Sequence, residues 1–127
     1  MKVLLVDDEI EFVSALAERI MLRDIEAEWT AKPEEAIERA KNDCFDIAVL
    51  DIKMPRVGGF DLKKRLEKQC LEMKFIFLTG PGSEEAFQTG TTETGSEFYL
   101  VKPVRFETLL EKIQAVGSAS TGGPENE

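Results

Sequence analysis

The sequence predicts an α/β fold, a doubly wound parallel sheet of five strands with helices on both faces. Three observations predict it. Short apolar runs alternate with stretches whose apolar residues recur every three or four positions, the alternation repeats five times between Lys2 and Val116, and one run, Phe45 to Leu50, is apolar almost throughout. Period 2 or unbroken apolar runs read as strands and period 3.6 as helices. A repeated strand–helix alternation builds a parallel sheet with right-handed crossovers.

Each element has its own signal. Lys2 to Val6 is a short apolar strand, and Ile10, Val13, Leu16, Ala17, Ile20 and Met21 form one face of a helix. Ile25, Ala27 and Trp29 alternate with acidic residues, which suits a strand near a sheet edge. Pro33 opens a helix through Ala36, Ile37 and Ala40 from a first-turn position. Phe45 to Leu50, interrupted only by Asp46, reads as a central strand covered on both faces. Met54-Pro55 and Gly58-Gly59 mark a loop before the amphipathic stretch Phe60 to Gln69. Phe75 to Leu78 and Phe98 to Val101 supply two more strands, and Phe106, Leu109, Leu110 and Ile113 a final helix. Between them Ser83 to Phe87 reads as a short fourth helix, frayed because Gln88 to Gly95 is rich in Thr and Gly. One domain is expected over residues 1–116. From Gly117 Ser, Thr, Gly, Pro and Glu replace the apolar period, so 117–127 reads as a flexible tail or the start of a linker.

Composition narrows function. Lys plus Arg is 16 against 25 for Asp plus Glu, a formal net charge of −9, which disfavours polyanions such as nucleic acid. Apolar residues at 43% and charged residues at 32% suit a globular chain. No apolar run is long enough to span a membrane, and Met1 to Val6 is too short for a signal peptide. Two cysteines, Cys44 and Cys70, without a histidine exclude Cys/His zinc sites and histidine acid–base chemistry. They provide no disulfide framework and read as inert thiols in a reducing, cytoplasmic setting. Trp29 reads as sheet packing, and Lys53 and Arg56 as a solvated loop that also tunes access to the acid between them and the strand.

A doubly wound sheet binds ligands outside the carboxyl ends of its strands. Asp7 and Asp8 follow the first strand, Asp51 the third, Thr79 the fourth and Lys102 the fifth. A single Asp at a strand end is ordinarily a turn or helix cap. Three on adjacent strands crowd like charges and call for a counter-ion, for which Mg²⁺ with its oxygen ligands is suited. A cation, the Lys102 ammonium and the Thr79 hydroxyl around a carboxylate oxygen make a phosphoryl-transfer site. Asp51, at the end of the central strand, is then the nucleophile.

These residues give the chain a resemblance to the receiver domains of two-component response regulators, over about residues 2–116, similar to the single-domain chemotaxis regulators. The resemblance implies a flavodoxin-like three-layer sandwich with strand order 2-1-3-4-5. It also implies that Asp7 and Asp8 bind Mg²⁺, with Asp8 the more direct ligand, and that Asp51, within Asp51-Ile52-Lys53-Met54-Pro55-Arg56-Val57-Gly58-Gly59, is the phosphoacceptor. The carbonyl of Lys53 completes the metal shell. Thr79 matches the family's hydroxyl residue, Lys102-Pro103 its Lys joined to Pro by a cis peptide, and Tyr99 its switch aromatic. The implied activity is Mg²⁺-dependent transfer of a phosphoryl group from a histidine kinase or histidine phosphotransfer domain onto Asp51, followed by slow self-catalysed hydrolysis. No enzyme activity on small metabolites is implied. Output follows as Thr79 moves and Tyr99 turns inward, changing the face of the fourth helix, fifth strand and fifth helix that meets an output domain or downstream protein. The implied state is a monomer or a phosphorylation-dependent dimer. Departures from the family pattern are Gly58 before the loop's closing Gly59, the Thr- and Gly-rich fourth crossover, and Gly95-Ser96 before the last strand.

Three rival readings remain. A receiver-like interaction module that works without phosphorylation differs in chemistry, not in fold. A small Mg²⁺-dependent phosphatase would need an Asp two positions after Asp51, where Lys53 stands. A flavin module would need a phosphate loop where Asp7-Asp8-Glu9 repels phosphate.

Overall fold

A computed structural model describes residues 1–54, 57–80 and 97–120. The elements run β1 (Lys2–Val6), α1 (Ile10–Met21), β2 (Glu26–Thr30), α2 (Pro33–Asn42), β3 (Ile47–Asp51), α3 (Gly59–Gln69), β4 (Lys74–Thr79), β5 (Glu97–Val101) and the final helix α4 (Phe106–Ser120). All strands pair in parallel in the order β2-β1-β3-β4-β5, as expected. The expected fourth helix at Ser83 to Phe87 and the loop residues Pro55 and Arg56 lie outside the described residues.

Strand periodicity sorts the core into two layers. Val3, Leu5, Ile47, Val49, Ile76 and Leu78 face α1 and α4, while Leu4, Val6, Ala48, Leu50, Phe75 and Phe77 face α2 and α3. Successive side chains of a strand point to opposite faces, so a central strand must be apolar on both. Each fully buried Leu, Ile or Phe side chain contributes about 1.5–3 kcal/mol relative to exposure. The edge position of β2 explains its acidic alternation, since Glu26 is exposed while Ala27 and Thr30 are buried.

The structure departs from the sequence reading at three places. β3 begins at Ile47, two residues later than Phe45. Phe45 is buried, but Asp46 is taken up by β1, with its carboxylate accepting from the Lys2 main-chain N–H at 2.8 Å and its own N–H donating to the Lys2 carbonyl at 2.9 Å. α4 continues past Val116 to Ser120, with Gly117 buried beside the end of the Met1 side chain. Finally, Cys44 and Cys70 are not inert thiols: they form a disulfide with Cα atoms 5.7 Å apart. Their separation of 26 residues carries no pairing signal. The pair is created by packing α2 against α3, which brings the C-terminal ends of both helices together.

Among the described residues no helix is long and apolar enough to cross a membrane.

Gly59 is the tightest point of the β3–α3 connection. Its N–H donates to the Ile52 carbonyl at 2.9 Å, and an added Cβ would lie 2.6 Å from the Asp51 carbonyl oxygen and 2.9 Å from the Ile52 Cα. Neither backbone can yield without moving Asp51. Gly59→Ala is therefore expected to cost about 2 kcal/mol of overpacking, although Ala normally gains up to ~1 kcal/mol over Gly in a helix. Urea unfolding checks this, and a neutral or stabilised variant would contradict the close approach.

Candidate functional site

The site lies where β1, β3, β4 and β5 end. β1 stops after Val6, and the Asp7 N–H donates to the Thr30 carbonyl at 3.3 Å, which holds Asp7 against the sheet. The Asp7 carboxylate accepts from the Glu9 N–H at 3.0 Å, turning the chain into α1. Asp7 is buried and Asp8 exposed. Asp51 is the last residue of β3 and is buried, and its carboxylate accepts from the Lys53 N–H at 3.4 Å. One carboxylate oxygen from each of Asp7, Asp8 and Asp51 lies within 4.8 Å of the others.

Lys102 follows β5 directly and precedes a cis Lys102–Pro103 peptide, as the resemblance implies. Its N–H donates to the Thr79 carbonyl at 2.6 Å. The Lys102 Nζ lies 3.0 Å from Asp7 Oδ2, 3.3 Å from Glu9 Oε1 and 3.7 Å from Asp51 Oδ2. One ammonium thus faces three acidic side chains. Lys102 also sits over the Phe12 ring at 5.2 Å from its centroid.

Thr79 ends β4 and is buried, one position beyond Leu78, the register partner of Asp51. Tyr99 pairs in register with Phe77 and stacks on it, with ring centroids 5.3 Å apart. Phe77 in turn meets Phe60, in the first turn of α3, at 4.8 Å. By strand periodicity Thr79 shares the face of Phe75 and Phe77, and Tyr99 packs against that same face. The side chain of Lys53 is exposed.

The family model for the response regulator receiver domain matches residues 3–114. The chain belongs to the response regulator receiver family. The receiver is 34% identical over 110 residues to response regulator SaeR of Staphylococcus aureus (strain USA300), covering 87% of this chain and 47% of SaeR. It therefore spans about half the length of the curated relatives it matches. The structure of chemotaxis protein CheY4 from Vibrio cholerae superposes with a TM-score of 0.80 at 33% identity, covering 91% of the receiver and 97% of that chain. A CheY-like receiver domain from Methanospirillum hungatei gives a TM-score of 0.85 at 28% identity, covering 94% and 95%.

Electrostatics show what the receiver's acidic cluster lacks. Burial pushes the Asp51 carboxyl up to about 6, and the charge of Asp7 adds to the rise; Lys102 and the Lys53 N–H oppose it. Burial likewise raises Asp7, against the Glu9 N–H and Lys102. For Lys102 burial favours the neutral amine, but the bond to Asp7 and the charges of Asp7 and Asp51 outweigh it, so the ammonium is held above its ordinary range. Among the described residues one ammonium, that of Lys102, faces the acidic cluster, which is short of positive charge. Three carboxylates converging within one ion's reach, Asp7 and Asp51 buried and Asp8 exposed, are a donor set of the hard oxygen type that suits a divalent cation such as Mg²⁺.

Sequence reasoning brought Asp7, Asp8, Asp51 and Lys102 to one edge, and the structure brings them together. It missed Glu9 and Phe12 as neighbours of Lys102. Glu9 left a trace as the third acid of Asp7-Asp8-Glu9, whereas Phe12 reads only as a half-buried helix position.

Proposed function

We propose that this receiver accepts a phosphoryl group on Asp51 from a phosphohistidine donor and presents the change at the face around Tyr99. The observation that carries the reading is the buried Asp51 carboxylate held 3.7 Å from the Lys102 ammonium inside the Asp7–Asp8–Asp51 cluster. The sequence contains no histidine, so the donor imidazole belongs outside these 127 residues, on a histidine kinase or histidine phosphotransfer domain.

In this reading an Asp51 oxygen attacks phosphorus as the phosphorus–nitrogen bond of the donor breaks, and the departing imidazole keeps the bonding pair and takes a proton. Lys102 stabilises charge on the transferring oxygens, and the Thr79 hydroxyl donates to one of them. Asp7, Asp8, Asp51 and the Lys53 carbonyl are the residues that would hold Mg²⁺, which supplies charge neutralisation for the carboxylates and the incoming anion. Water later cleaves the acyl phosphate and restores the carboxylate.

The switch draws on Thr79 and Tyr99 sharing one face of adjacent strands. A displaced Thr79 changes the space available to the Tyr99 ring, whose stack on Phe77 extends to Phe60 in α3. That is a shift between two packings, read by an output domain or downstream protein on the β5–α4 side. The oligomeric form in this reading is a monomer or a phosphorylation-dependent dimer, and the setting is the cytoplasm.

Incubation with a small acyl phosphate tests the chemistry. The mass of one added phosphoryl group is expected with Mg²⁺, and neither without Mg²⁺ nor on Asp51→Asn. Modification of Asp51→Asn to the same extent would remove the phosphoacceptor. An unmodified native chain would favour a phosphorylation-independent interaction module.

A further inference from the structure

The Cys44–Cys70 bridge sits at the opposite end of β3 from Asp51. Cys70 is the C-cap of α3, and Cys44 follows Asp43, the C-cap of α2. The two residues differ in exposure: Cys70 is buried, whereas Cys44 is exposed. A cleft of about 510 Å³ opens beside them, lined by Phe45, Asp46, Leu71 and Glu72 as well as the cysteines. Leu71 is 87% exposed, so the cleft's outer wall is a bare apolar side chain.

We propose that Cys44 and Cys70 form a reversible dithiol–disulfide modification site, opened and closed in the folded chain by exchange at Cys44 with a small dithiol or its disulfide. Thiol–disulfide exchange needs a thiolate to reach one sulfur along the bond axis. Both cysteines line the cleft, and Cys44 is the exposed residue of the two, so a reductant meets it first. A reductant thiolate attacks Cys44 Sγ, the sulfur–sulfur bond breaks, and Cys70 leaves with the bonding pair and takes a proton. The reductant's second thiol then attacks the mixed disulfide, releasing Cys44 as a thiol and the reductant as its own disulfide. Two electrons and two protons have passed to the receiver's sulfurs, and the reverse sequence closes the bridge.

The neighbourhood provides for both states. Cys44 Sγ lies 3.9 Å from the Ala40 carbonyl oxygen and 3.6 Å from that of Gln69, and Cys70 Sγ lies 3.8 Å from that of Ala40. These carbonyls are acceptors within reach of the S–H groups of the open form as the two sulfurs move apart. The bridge also closes the chain into a ring that carries β3, Asp51 and all of α3, so opening it frees the segment that bears the phosphoacceptor. By the chain-entropy argument the loop of 26 residues makes the closed form more resistant to heat by roughly 10 °C.

The test uses the full chain under native conditions, with dithiothreitol and its oxidised form as the probes. After dithiothreitol, the folded protein is expected to react with a maleimide quickly at Cys44 and slowly at Cys70, and Tm to fall by roughly 10 °C. After removal and addition of the oxidised probe, both thiols are expected to disappear and Tm to recover. Cys44→Ser, at an exposed position, should fold, lose the response of Tm to reductant and leave Cys70 slow to label. Cys70→Ser should likewise lose the response of Tm to reductant but leave Cys44 quick to label. The proposal is overturned if thiols appear only in denaturant, if they persist after the oxidised probe, or if Tm ignores the redox state.

Discussion

In metal-free buffer at pH 7, Asp51→Asn is expected to be more stable than the native chain by about 3 kcal/mol, or roughly 10 °C in Tm. The Asp51 carboxyl is pushed from its ordinary 3.8 to about 6, chiefly by burial and then by Asp7. An acid whose pKa is raised by folding binds its proton more tightly in the native state. Stability therefore falls as pH rises between these two values, and the full penalty is present above about pH 7. Asparagine keeps the shape and carries no charge, so the variant escapes the penalty. Its advantage should shrink as pH is lowered from 7 and vanish near pH 4. Mg²⁺ should reverse the order, because a cation that binds only the folded native site adds stability there, and the variant has lost a ligand. Urea titrations in chelator at several pH values, with a matching set in Mg²⁺, measure all three trends. An Asp51→Asn variant no more stable than the native chain at pH 7 without metal would mean that the buried carboxylate carries no such burden.

Lys102→Met is expected to slow phosphoryl transfer by about 10²–10³-fold, the usual effect of deleting a charge-stabilising donor, and to destabilise the metal-free fold by about 2–4 kcal/mol at pH 7. The Lys102 ammonium lies within 4 Å of Asp7, Glu9 and Asp51, so its removal leaves buried carboxylates without their cation. Its raised pKa means that its own stabilising charge persists at all pH values below its ordinary 10.5 and is lost only above that. The loss on mutation therefore follows the carboxylates: it is greatest at pH 7 and smaller in acid, where Asp51, pushed up to about 6, is neutral, and the raised pKa of Asp7 acts in the same direction. Lys102→Arg separates charge from geometry. It should restore much of the stability, while its planar fork cannot reproduce the single-point approach to Asp51 and leaves transfer slow. Single-turnover labelling at saturating acyl phosphate reads the chemical effect, and urea unfolding in chelator reads the structural one. Unchanged labelling by Lys102→Met would remove Lys102 from the transfer step.

Much of this site was legible because its logic is local to strand ends. Asp7, Asp51 and Lys102 each terminate or directly follow a strand, and in a parallel sheet all strand ends of one kind lie along one edge. The requirement for glycine at position 59 was visible as a residue type, but its cause, the Asp51 carbonyl oxygen 2.6 Å from an added Cβ, belongs to the β3–α3 packing. Glu9 was visible as an acid and invisible as a partner, since only the direction from which Lys102 enters decides which acids it meets.

The sequence by itself determined the alternation of elements, the two-faced burial of the central strand, and the chemistry gathered at the strand ends. Those features repeat within a few residues, at the period of a strand or helix, and need no distant partner. Tertiary structure alone decided how far each carboxylate is desolvated, which acids share Lys102, and that Tyr99 stacks on Phe77. It also decided that Cys44 and Cys70 meet. Such contacts depend on the distance between segments far apart in the chain, and that distance is set by helix packing on the sheet, which no local pattern records.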